Sequence, residues 1–75
     1  MRKSMVLGRV VGKIPGNQYI VVRDYLNGTN YAEGATNHVI NKILDYDMEL
    51  RNADVYGISI GDINTIVIDV IIENE

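Results

Sequence analysis

Seventy-five residues with a formal net charge of −3 and no cysteine fit one small domain, stabilised by apolar burial or association, because disulfides, thiolate metal sites and cysteine nucleophiles are all excluded. The cations Arg2, Lys3, Arg9, Lys13, Arg23, Lys42 and Arg51 are scattered over an acidic chain, which argues against the clustered cationic stripe of a nucleic-acid binder. MRKSMVLG lacks the apolar core of a signal peptide and no stretch reaches the roughly twenty apolar residues of a membrane span, so the chain is expected to be untargeted and cytoplasmic.

Apolar residues make up 47% of the chain, yet Phe and Trp are missing and Ile and Val dominate. Such β-branched richness favours strands. In chain order, residues 5–14 (MVLGRVVGKI) and 18–26 (QYIVVRDYL) are predicted strands. Ile14-Pro15-Gly16-Asn17 between them reads as a type II turn, with proline presetting the first central position and glycine supplying positive φ at the second. Asn27-Gly28 ends the second strand.

Asn30 precedes Glu33 by the spacing of a capping box, which predicts a helix start. Ala32, Ala35, Val39, Ile43, Tyr46, Leu50 and Ala53 then form a stripe about 80° wide at helical periodicity, with Ile40 and Leu44 at its shoulder. His38, Asn41, Lys42, Asp45, Glu49 and Asn52 gather on the opposite side. A start at Thr36 is the alternative, since Gly34 inside a helix costs about 1 kcal/mol, and DYDMEL could also alternate as a strand. VYGISI and TIVIDVII flank the turn-forming GDIN and predict a second hairpin.

The expected fold is α+β in one domain, residues 1–75: a two-layer ββαββ arrangement in which a four-stranded, mostly antiparallel sheet carries one long amphipathic helix on one face. The last three residues read as a frayed acidic tail.

Strand side chains alternate between faces, so parity sorts them. Val6, Val10, Ile14, Ile20, Val22, Leu26, Ile58, Ile60, Ile66, Ile68, Val70 and Ile72 share the helix side. Leu7, Arg9, Val11, Tyr19, Val21, Arg23, Tyr25, Val67, Asp69 and Ile71 share the other, which is too apolar for a solvated sheet face. Burying a Val, Leu or Ile side chain stabilises by about 1.5–3 kcal/mol, so apolar exposure on this scale marks a partner surface. Homo-oligomerisation through that face or an edge strand is the leading expectation, and a heterologous protein partner the next. Asp69 should find the guanidinium of Arg9 or Arg23, a pair that disfavours register slips.

Catalytic and ligand-binding patterns are thin. His38, the sole histidine, falls on the polar helix face with no serine at triad spacing. Asp45, Asp47 and Glu49 mimic the start of a calcium loop, but Leu50 stands where that loop needs glycine and Tyr56 where it needs glutamate. Asn27, Gly28, Thr29, Asn30 and Tyr31 lie between a strand and a predicted helix, so their N–H groups suit an anion or nucleotide, although neither the Walker lysine nor the spacing of a dinucleotide-binding loop is present. Tyr19, Tyr25 and Tyr31 near Arg23 suit base stacking less well than a protein interface, given the acidic charge. No metal or cofactor is expected, and an enzyme would require Asp24, His38 or Asp69 to converge. The reading is a non-enzymatic protein-binding or regulatory module, of the size of a bacterial or phage accessory or inhibitor protein. A small-ligand-binding protein using the loop before the helix is the alternative.

Overall fold

The computed structural model describes residues 5–62 and 64–72. β-branched runs form β1 (Tyr19–Asp24), β3 (Asp54–Asp62) and β4 (Thr65–Ile71), while β2 (Asn30–Ala35) returns from β1 through a tight turn. In that turn the Asp24 N–H donates to the Thr29 carbonyl at 2.7 Å and the Gly28 N–H to the Asp24 carbonyl at 2.9 Å.

The sheet order is β2-β1-β4-β3. Both hairpins are antiparallel, whereas the central pair β1 and β4 is parallel, with Val21 beside Val67 and Arg23 beside Asp69. The sheet is therefore mixed. A parallel pair cannot be closed by a tight turn, so the chain between the hairpins must travel the length of the sheet, and it does so as helix.

Two expected elements differ. Residues 5–14 are not a strand: Leu7–Val11 is α1. Leu7, Val10, Val11 and Ile14 follow the i, i+3, i+4, i+7 spacing of a helical face, and Leu7 and Val11 are buried while Val10 and Ile14 pack against the core. The turn that follows runs from Pro15 to Gln18, closed by the Gln18 N–H on the Pro15 carbonyl at 3.0 Å, and Gly16 has no positive φ. What approaches Gly16 closely is the exposed Asn37 side-chain amide, which a Cβ there would have to displace.

Nor is there one long helix over 32–53. Ala32 and Ala35 belong to β2, where pairing of Tyr19 with Ala35 and Val22 with Ala32 claims them for the sheet. Asn30 and Glu33 do bond, Nδ2 to Oε1 at 2.7 Å, but along the strand and not as a helix cap. The helix starts at Thr36, as α2 (Thr36–Val39), and continues as a π-helical segment, Ile40–Leu44. The Asp45 N–H reaching back to the Ile40 carbonyl at 3.0 Å is the wide turn of that segment. Asp47 then caps a new helix, α3 (Met48–Arg51), its Oδ1 accepting from the Leu50 N–H at 3.0 Å. The break turns Tyr46 outward, 83% exposed, while Leu44 and Leu50 enter the core.

All three helical segments contribute to one core with the Ile20, Val22, Ile68 and Val70 side of the sheet. This gives two layers. Leu26, Ile58 and Ile60, expected on that covered side, are instead exposed. Among the described residues no helix is long and apolar enough to cross a membrane. The expected acidic tail at 73–75 and Ile63 of the expected GDIN turn lie outside the described residues.

The uncovered sheet face as candidate functional site

Alternation along β1 sends Ile20, Val22 and Asp24 into the core and leaves Tyr19, Val21 and Arg23 on the opposite side. The parallel register sets Val67 beside Val21 and Asp69 beside Arg23, with Ile71 two residues further along β4. Val21, Val67 and Ile71 are half-buried, and the helical layer packs on the other side of the sheet. Apolar residues therefore line this side of the two central strands, interrupted by the Arg23–Asp69 pair, and among the described residues no layer covers them.

Polar contacts both interrupt and flank these apolar residues. Arg23 Nε donates to Asp69 Oδ1 at 2.9 Å and Nη2 to Oδ2 at 3.5 Å, a fork in which Asp69 is the more sheltered partner, its side chain 17% exposed against 45% for Arg23. On the β2 side the Tyr19 hydroxyl donates to Glu33 Oε2 at 2.7 Å. That bond, followed by the one from Asn30, holds the Glu33 carboxyl below its usual 4.5, and the same bond to Glu33 lifts the Tyr19 hydroxyl above its usual 10.0. At the far end the rings of Tyr25 and Tyr56 stack with centroids 3.8 Å apart. The Tyr25 hydroxyl is raised above 10.0 first by hydrogen bonding with Tyr56 and then by its charge, with burial and Asp69 adding to the effect.

Tyr19, Val21, Arg23, Tyr25, Val67, Asp69 and Ile71 thus share one surface. Leu7, Arg9 and Val11 do not join them, because α1 is a helix: Leu7 and Val11 are buried in the core and Arg9 is exposed on that helix. Arg23, not Arg9, is the partner of Asp69. Two residues of this surface escaped the parity argument. The capping-box spacing points Glu33 to a helix cap, and a register shift between Val55 and Gly57 brings Tyr56 over Tyr25. The glycine beside Tyr56 is the signal that could have marked such a bulge.

The loop of Asn27, Gly28, Thr29, Asn30 and Tyr31 is differently built from the expected anion cradle. It leads into β2, so no helix N-terminus faces it. The Asn27 N–H donates to Asp24 Oδ2 at 2.8 Å, the Gly28 N–H to the Asp24 carbonyl, and the Thr29 N–H to Asn27 Oδ1 at 2.9 Å. The amides that would hold an anion serve the turn itself. Asn30 is committed to Glu33, and Tyr31 packs against the core with its hydroxyl donating to Asp24 Oδ1 at 3.2 Å. Burial, and then that bond, raise the Tyr31 hydroxyl above 10.0.

Asp24 and Asp69 lie on opposite sides of the sheet, Asp24 buried against the turn and Asp69 forked to Arg23, and His38 is exposed on α2. The three do not converge. Among the described residues no cluster of three or more His, Asp or Glu side chains is arranged to hold a metal ion. In comparisons with protein-family models, with curated proteins and with solved structures, the chain matches none.

Proposed function

We propose that this protein is a non-enzymatic binding or regulatory module that acts on a partner protein through the uncovered sheet face, as a homo-oligomer. The observation that carries the reading is the uncovered apolar group of Val21, Val67 and Ile71 on the two central strands, flanked by Tyr19 and the Tyr25–Tyr56 stack. Covering such a group removes apolar surface from water, at about 25 cal/mol per Å², and tyrosines beside it are favoured interface anchors. Arg23 is already neutralised by Asp69, so the centre of the face suits an apolar or aromatic patch better than a phosphate backbone.

Val21→Glu tests this. Val21 is half-buried and stands opposite Glu33, so the fold should lose about 1–2 kcal/mol, which urea unfolding of the variant checks, while a further charge enters this face. Proteins retained by the wild-type chain should be lost with Val21→Glu and kept with Met48→Glu, a control on exposed α3. Equal retention by all three would remove the face as the contact surface.

A further inference from the structure

β3 is an edge strand whose outer side is covered only at its start. There Val6 bridges Asp54 in antiparallel fashion and the Val55 N–H donates to the Met5 carbonyl at 3.2 Å. Beyond that, along Tyr56 to Gly61, no backbone partner lies on the outer side among the described residues. Exposed edges usually carry Lys, Pro or a bulge that prevents pairing. This stretch has neither Lys nor Pro, and its two register shifts, between Val55 and Gly57 and between Ile60 and Asp62, bracket a regular run instead of interrupting it.

The side chains of that run are also unfinished. Ile58 and Ile60 stand opposite Ile68 and Ile66, on the side of the sheet the helices cover, yet they are 51% and 74% exposed. The helical layer stops short of the edge.

Gly57-Ile58-Ser59-Ile60-Gly61 reads the same in both directions. An antiparallel pair of identical strands about a twofold axis needs a sequence that complements its own reverse. We infer that a second copy of this chain completes the edge, β3 pairing with β3 of the second copy about a twofold axis through Ser59, perpendicular to the sheet. Ile58 then faces Ile60 of the second copy, and Ile60 its Ile58. A perpendicular axis keeps every residue on its own face, so both helical layers lie on one side and the two four-stranded sheets join into one of eight strands.

The register centred on Ile58 is worse. It drives Gly61 of the second copy against Val55, where Met5 already pairs. The Ser59 register uses only the open residues. This inference deepens the homo-oligomeric part of the proposed function and makes no use of the uncovered face.

The test uses the full chain, whose lack of cysteine makes a single introduced thiol unambiguous. Residues directly opposite in an antiparallel pair have Cα atoms about 4.5–5.5 Å apart, inside the range a disulfide spans. Ser59→Cys should therefore form a covalent dimer on mild oxidation far faster than Tyr46→Cys, an exposed control away from the edge. Wild-type protein should sediment as a dimer, and Ile58→Lys with Ile60→Lys should raise the dimer dissociation constant at least about 100-fold. A wild-type chain that stays monomeric, or Ser59→Cys that cross-links no faster than the control, overturns the edge pairing. A dimer lost with Val21→Glu but not with the lysine pair would place the self-contact on the uncovered face, overturning the edge and sparing the proposed function.

Discussion

Glu33 receives two short hydrogen bonds at the solvent surface, one from the Tyr19 hydroxyl and one from the Asn30 amide, each 2.7 Å long. Both favour the ionised carboxyl, so its folded value lies below 4.5. Its contribution to stability is present above 4.5 and disappears as pH falls through the lowered value; that of Tyr19, raised above 10.0, is present below 10.0 and disappears as pH rises through the raised value. The contact thus operates across the whole neutral range. Tyr19→Phe should move the Glu33 titration midpoint up towards 4.5, as followed by side-chain carboxyl NMR. An unmoved midpoint would mean the phenol is not its principal donor.

Gly34 decides how β2 gives way to α2. Its φ of +140° suits glycine, and a Cβ there would lie 3.3 Å from the His38 ring. Gly34→Ala should cost about 1–3 kcal/mol, read as a lower urea midpoint with an unchanged slope; a loss under about 0.5 kcal/mol, the scale of an ordinary surface change, would show that the junction relaxes freely. A helix running through Gly34 would predict the opposite sign, since alanine is the better helix former.

Residues whose local and tertiary preferences agree are legible in the sequence. Tyr19–Asp24 and Thr65–Ile71 alternate cleanly, so parity alone places Arg23 and Asp69 on one face, where they meet. The misread segments serve two templates at once. Residues 5–14 are Val-rich, which favours strand, yet 7, 10, 11 and 14 also form a helical face, and burial of Leu7 and Val11 decides between them. Ala32, Ala35 and Tyr46 fit the helical stripe by angle, but strand pairing takes the alanines, and the π-helical turn followed by the Asp47 cap rotates Tyr46 out. A single inserted turn of this kind leaves no mark in the periodicity on either side. The Tyr56 contact was hidden by a register shift, which parity cannot see.

For the molecule as a whole, stability rests on a small core. A domain of this length has about 4–11 kcal/mol in total at the usual 0.05–0.15 kcal/mol per residue, and Ile68 lies fully buried on a central strand. Ile68→Ala should remove about 2–5 kcal/mol, a large part of that total, measurable by equilibrium urea unfolding. A loss below about 1 kcal/mol would mean the sheet centre collapses to fill the gap.

The placement of β4 also bears on how the chain is made. β4 comes last among the described strands but sits inside the sheet, parallel to β1, with Arg23 meeting Asp69 across 46 positions of sequence. A ribosome therefore releases the β1–β2 hairpin with the far side of β1 unpaired, and it stays so until the final strand emerges. Helix and first hairpin cannot settle as an independent half, because the wall they pack against is incomplete. A nascent chain stalled before Thr65 displays the backbone groups that the finished protein hides most deeply, which makes truncated copies the species most prone to sticking together.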